Sequence, residues 1–204
     1  QAGHPLALRP RPQKDFEVDG ATAAELDAKF AEAVDHVARG RFGGFIPVGR
    51  MPIVLKWIGG PDLPVVTHGA TVEKARTKHE ISIENVKQVP EQLRDPLMVF
   101  QEMPGSFVIL TGLRNARSHP VLVAMHLRKR LGRYEINDIA SVRKGLVGEV
   151  EKRIRDGGLL YWDRKRATDW LSRSHSSVVA GGTSPSMDSI PTKADFVKDT
   201  HQLT

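Results

Sequence analysis

Cysteine is absent from this chain. Neither a disulfide framework nor a thiolate metal site can therefore form. That suits a cytosolic working place, or a domain that must refold after delivery without redox help. Aromatic residues are scarce at 6%, and none is interleaved with the basic runs, which argues against an RNA-binding module built on base stacking. No apolar run approaches the ~20 residues of a membrane span, and the N-terminal stretch lacks the apolar centre of a secretory signal. The eight histidines are scattered, with no carboxylate partner at ligand spacing, so neither a metal site nor a cofactor is expected. Gly43-Gly44 and Gly181-Gly182 lack the strand-before, helix-after setting of a phosphate loop. No Gly-x-Ser-x-Gly elbow gives acyl transfer a foothold.

What the chain does have is positive charge. Lys and Arg number 30 against 24 Asp and Glu, a net charge of +6. A basic balance favours an anionic partner, nucleic acid before a membrane surface; the plainer reading is ordinary solubility charge. The 204 residues suit one domain with extensions, and a hydrophobic content of 40% predicts floppy ends around a modest core. The sequence begins with Gln1, which suggests a piece of a longer polypeptide.

Four segments follow. Residues 1–20 read as a basic arm, with Pro5, Pro10 and Pro12 interrupting helix. Residues 21–47 hold a helix and a linker. Thr22 and Glu25 form a capping box, Leu26, Phe30, Ala33, Val34 and Val37 recur at helical spacing, and Gly40 ends the helix. Residues 48–175 carry the domain proper, and 176–204 a Ser-, Gly- and Pro-bearing tail expected to be disordered. Within the domain, Arg41–Pro64 reads as loop with a turn of helix near Met51–Trp57. Leu63–Thr67 is a short strand, Thr71–Lys78 a short helix, and Ser82–Asn85 a helical turn that Pro90 interrupts. Strand-like runs then recur at Leu97–Phe100, Phe107–Thr111, Pro120–Leu127 and Tyr134–Val142, an antiparallel meander. Arg128–Arg133 is a basic hairpin connection. Leu146–Arg155 and Lys165–Arg173 read as helices on either side of a short extended Leu159–Trp162.

With metal, phosphate-loop and acyl chemistry set aside, basic and hydroxyl chemistry remains. Cutting RNA without a metal needs a base for the 2′-OH proton, an acid for the 5′-oxygen, and cations for the phosphorane charge. Histidine suits the first two roles and Lys or Arg the third. Lys74, Lys78 and His79 supply these types within six positions. Period two on the fourth strand groups Asn137, Ile139 and Ser141 on one side, so Ser141, Asn137 and Arg143 could add hydrogen bonds and charge. Each has a plainer reading: Lys74 and Lys78 a solvated face, His79 a cap, Ser141 a ladder hydroxyl, Tyr161 a core residue, His119 a loop residue.

Several stretches together resemble the phage MuF C-terminal domain. They are Lys74…Lys78-His79, the Val89-Pro90-Glu91-Gln92-Leu93-Arg94-Asp95-Pro96 step, Phe107–Thr111, Pro120–Ala124, the Asn137-Asp138-Ile139-Ala140-Ser141 strand and Gly158–Tyr161. That group is assigned to the barnase–EndoU–colicin–RelE class of nuclease toxins, and the resemblance covers roughly residues 48–175. It implies an α+β fold, with N-terminal helices packed on a four-stranded antiparallel sheet, C-terminal helices and a flexible tail. It also implies metal-independent RNA cleavage carried by His79, Lys78 and Ser141, with Lys74 and Tyr161 as weaker carry-overs.

The leading expectation is a ribonuclease toxin domain, of phage or polymorphic-toxin origin, that forms a 2′,3′-cyclic phosphate. Its catalytic residues would be His79, Lys78 and Ser141, and its substrate-binding residues Lys74, Asn137, Arg143 and Tyr161. Its partners would be tRNA or rRNA and a cognate immunity protein, and it would act in the cytoplasm of a target bacterial cell after delivery by a phage particle or secretion system. Two alternatives stay open: a non-enzymatic phage head-associated or nucleic-acid-binding module, and a toxin of the same fold with transferase chemistry.

Overall fold

The chain was analysed as a computed structural model, which describes residue 18 and residues 20–41, 43–174 and 185–195. The expected arm lies outside these residues save for Val18, which is buried, and Gly20.

The first helix, α1 (Ala23–Ala38), starts where the sequence calls for it. The Thr22 amide donates to Glu25 Oε2 at 2.7 Å and the Glu25 amide donates to Thr22 Oγ1 at 3.2 Å, the reciprocal bonds of a capping box. Leu26, Phe30, Val34 and Val37 form its buried stripe. Next comes β1 (Phe45–Gly49), inside what the sequence reads as loop; Pro47 and the flanking glycines disguise it. Proline is tolerated there because β1 is an edge strand. Two short elements follow, α2 (Ile53–Trp57) and β2 (Val65–His68). Helix α3 (Gly69–Thr77) begins at once, capped by His68, whose Nδ1 accepts from the Ala70 amide at 3.0 Å. After α4 (Ile83–Lys87), Pro90 does not break the chain out of helix. It sits in the first turn of a new one, α5 (Val89–Arg94), where a missing N–H costs nothing.

Strands β3 (Met98–Gln101), β4 (Ser106–Arg114), β5 (Pro120–Leu131) and β6 (Tyr134–Lys144) run as consecutive antiparallel neighbours. Then come α6 (Val147–Arg155), β7 (Leu159–Trp162), α7 (Arg164–Arg173) and, from the expected tail, α8 (Pro185–Asp188). Residues 185–195 are not all loose chain: Met187 is buried, and the Trp162 amide donates to the Pro191 carbonyl at 3.4 Å.

The fold is α+β, but the sheet has seven strands rather than four, in the order β1-β2-β6-β5-β4-β3-β7. Every pairing is antiparallel except β2 with β6. One face carries α1 to α5 over a core that includes Phe30, Leu55, Ile109, Val123 and Ile139. The other carries the C-terminal helices over Met98, Phe100, Leu122, Trp162, Trp170 and Met187. The helix α1, assigned by sequence to a separate leading segment, shares the first of these cores.

Two irregularities in the β5–β6 ladder position everything that follows. Ala124 faces Ser141 and Met125 faces Ile139, so Ala140 is an unmatched extra residue. Further along, Leu127 and Arg128 are bulged out opposite Asn137, with Arg128 at φ 55°. A bulge of one residue reverses which face the later side chains occupy.

Candidate functional site

Parallel pairing of β2 with β6 runs only from Val65–Asn137 to Thr67–Ile139. There β2 ends, His68 caps α3, and α3 packs on β6. Residues 140–144 of β6 are left with β5 alone as a strand neighbour. The chain leaving α3 comes back to this end of the sheet. Lys78 and His79 both donate their amides to the Lys74 carbonyl, and Glu80 turns the chain at φ 55°. Ile81 donates to the Ala75 carbonyl and buries its side chain in the core beneath α1 to α5.

This short segment is clamped to the β4–β5 loop by one side chain. Asn115 is buried. Its Nδ2 donates to the His79 carbonyl at 3.0 Å, and its Oδ1 accepts from the amides of Arg117 and His119 at 3.0 and 2.9 Å. Its own amide donates to the His119 carbonyl at 2.9 Å. The loop adds an Ala116 amide bond to the Glu80 carbonyl and an Arg117–Glu80 ion pair at 3.0 Å. His79 and His119, 40 residues apart in number, are thus both fastened to one carboxamide.

Both imidazoles are half-buried, and in both the Nδ1 atom is buried with no hydrogen-bond partner in the protein. A buried polar atom left without a partner costs about 1–3 kcal/mol, and such atoms collect where a ligand or water completes the set. Burial, and then the charges of Lys78, Arg143 and Lys144, hold His79 below the ordinary imidazole value. It is therefore neutral at pH 7 and able to accept a proton. Lys74 and Lys78 are exposed and Lys144 half-buried, and none of the three makes an ion pair among the described residues.

The other sequence-derived site residues fall elsewhere. Ser141 does not join His79. The extra residue Ala140 puts Ser141 opposite Ala124, on the face away from Ile139, Val142 and Lys144, and α3 packs on the Ile139 side. Uninterrupted alternation would have put it on the α3 side with Ile139. Ser141 makes no side-chain hydrogen bond among the described residues. Asn137 is fully buried and acts as a brace for the second bulge. Its Nδ2 donates to the Pro61 and Leu63 carbonyls at 2.9 and 3.2 Å, while its Oδ1 accepts from the Arg128 amide at 3.3 Å. Both Nδ2 protons are spent on that brace, and full burial keeps a substrate from Oδ1. Arg143 shares the far face with Leu122 and is held by a two-pronged pair with Glu149. That pairing keeps the Glu149 carboxyl below the usual carboxylate range. Tyr161 lies 1% exposed in the core beneath α1 to α5, and burial, with Asp163 and Asp95 next, pushes its phenol up to about 12.

Sequence reasoning passed over Asn115 and Lys144, and read His119 only as a loop residue, which it is. The loop text Asn115-Ala-Arg-Ser-His119 does carry one signal: an asparagine that opens a turn and can bond to amides two and four residues on. Among the described residues, no three His, Asp or Glu side chains gather as a metal-binding group.

Residues 70–169, just under half of the chain, match the model of the phage MuF C-terminal domain. The matched stretch runs from the first turn of α3 into α7 and contains the whole His79–Asn115–His119 arrangement. No curated protein and no solved structure matches the chain significantly.

Proposed function

We propose that this domain cuts RNA by acid–base catalysis, without a metal, as a toxin nuclease of the barnase–EndoU–colicin–RelE kind. One observation carries the reading: His79 and His119, each with an unpartnered buried Nδ1, are fastened through their backbones to one asparagine, near lysines that make no ion pair among the described residues. His79, neutral at pH 7, takes the proton of a ribose 2′-OH. The 2′-oxygen attacks the adjacent phosphorus, and the bond from phosphorus to the 5′-oxygen breaks. His119, in its protonated form, gives its proton to that oxygen, leaving a 2′,3′-cyclic phosphate and a 5′-hydroxyl. Lys78 and Lys144, with Lys74 one turn behind, meet the charge that grows on the phosphoryl oxygens. Asn115 is a positioning residue, since it holds the two histidine backbones without facing the substrate itself. Lys78 and His79 keep the parts the family resemblance implies for them, whereas Ser141 is dropped from the catalytic set. Structured cellular RNA, tRNA or rRNA, is the substrate class. The place of action is a target bacterial cytoplasm, where an immunity protein would cover this end of the sheet.

The test is incubation with total tRNA and rRNA in EDTA. The wild-type protein is expected to release fragments ending in 2′,3′-cyclic phosphate. His79→Ala and His119→Ala should each lose about 10²–10⁴-fold in rate. Full activity of either variant, or no cleavage at any wild-type dose, sinks the reading. A second reading, nucleic-acid binding without cleavage, is favoured by one feature: the basic β5–β6 ribbon, with Arg128, Arg130 and Arg133 exposed. Strong, salt-dependent binding by a protein that never cuts would select it.

A further inference from the structure

The β4–β5 loop has a second side. Opposite the histidines, the end of β4 and helix α7 enclose a cleft of about 330 Å³. Three guanidinium groups line it, from Arg114, Arg166 and Arg173, against a single carboxylate, Asp169. Trp170 and Leu97 supply its apolar wall. Three arginines in one concave space need either acid partners or an anion, because like charges repel when confined.

The partners are incomplete. Arg166 is shared between Asp95 at 2.9 Å and Asp163 at 3.5 Å. Arg114 makes no ion pair among the described residues. Its guanidinium lies 5.8 Å from the centre of the Trp170 ring, and its Nη1 donates to the Ser118 carbonyl at 2.7 Å. These contacts fix the direction of the group without neutralising its charge. Arg173 is exposed and makes no ion pair among the described residues. Gly112 is part of the cleft lining. A Cβ there would come within 3.3 Å of Gln92 Oε1, which accepts the Gly112 amide, and 3.7 Å of Arg166 Nη2.

The cleft is also tied to the histidines. Arg114 is registered against Pro120, the neighbour of His119. The carbonyl that Arg114 holds belongs to Ser118, which turns the loop at φ 64° and donates its amide to the Asn115 carbonyl. An anion drawn to Arg114 therefore sits one loop-width from the His79–His119 pair.

We infer that this cleft binds a phosphodiester group of a nucleic-acid strand whose scissile bond lies at the histidines on the other side of the loop. The identity of that strand as RNA rests on the ribonuclease reading; the phosphate site itself does not. Planar guanidiniums match phosphate oxygens two at a time, and the fixed orientation of Arg114 on Trp170 means that little ordering is left to do on binding. Arg173 closes on the strand from the solvent side.

The experiment measures binding apart from cleavage. The full chain carrying His79→Ala is titrated into fluorescein-labelled RNA and DNA dodecamers of mixed sequence, at several salt concentrations. Arg173→Ala, an exposed change that spares the fold, and Arg114→Ala are each expected to weaken RNA binding roughly tenfold and to lower the log–log salt slope by about one. Equal weakening on DNA means that the cleft reads the phosphodiester alone. Weakening on RNA only means that it reads the ribose as well, and either result supports the site. Unchanged affinity and slope with both oligonucleotides overturns it, even if the wild-type protein cuts RNA. Normal weakening in a protein that never cuts leaves the phosphate site standing and removes the ribonuclease reading.

Discussion

His79 behaves as a base because of what surrounds it, and that can be checked one residue at a time. Burial and three cations disfavour its charged form, so its proton leaves at lower pH than from a free imidazole. Since a general base must be neutral to act, the low-pH limb of cleavage should fall below pH ~6.5, the ordinary value. Lys144→Ala and Lys78→Ala should each move that limb upward, as removing a positive neighbour relaxes the depression. Histidine NMR titration of the intact chain, alongside the pH–rate profile, reads both effects. A limb that stays put in both variants would rule out the electrostatic part of the account. Residues also explain what could and could not be read from the sequence. Lys78 and His79 were visible as types beside a helix end. Asn115 and His119 were not, because their meaning arises from a loop brought against α3 across 36 residues. Ser141 was misplaced by a single uncounted residue, Ala140, and Asn137 and Tyr161 were polar types hidden by burial.

At the level of elements, the legible pieces were those with long apolar runs or clear caps. The four strands β3 to β6 announce themselves, as does α1 with its capping box. Strand β1 is five residues around a proline, too little periodicity to separate it from loop, whereas β2, only four residues, was legible as a short strand over Leu63–Thr67 with its bounds displaced. The length of β5 and β6 was also underestimated, with a consequence for binding. Pairing of β4 with β5 stops at Ser106–His126, and pairing of β2 with β6 starts at Asn137. Residues 128–136 therefore project as a two-stranded ribbon with no strand on either side. Lys129 is paired with Asp138 and Arg128 with Glu135. Arg130 has no acid partner among the described residues, and Arg133 lies over the Tyr134 ring at 6.0 Å. Arg130→Glu with Arg133→Glu should lower the salt slope of RNA binding by about two while leaving the turnover of a short dinucleotide substrate unchanged. The ribbon lies about 30 Å along β5 from His119, at ~3.4 Å per residue, which is beyond the reach of so short a substrate. Loss of dinucleotide turnover would contradict an anchoring role.

At the scale of the whole molecule, the sheet is a wall between two cores, and their chemistry predicts how stability responds to alkali. Tyr161 lies on β7, opposite Val99 of β3, in the core beneath α1 to α5. Its phenol is pushed up to about 12, chiefly by burial, from the 10.0 of an exposed tyrosine. The unfolded chain therefore loses this proton first. Stability from the neutral phenol is fully present below pH 10 and drains away as pH rises from about 10 towards 12, by at most about 1.4 kcal/mol per pH unit. Lysines titrate in the same range, so the wild-type curve alone does not isolate Tyr161. Tyr161→Phe does, since it keeps the ring and removes the proton. Urea midpoints at pH 9 and pH 11 should fall together for the wild-type protein and the variant up to the lysine contribution, with an extra loss in the wild type alone. Equal losses in both would mean that the phenol reaches solvent, and that the wall between the two cores is more open at β7 than the packing around Tyr161 and Trp162 requires.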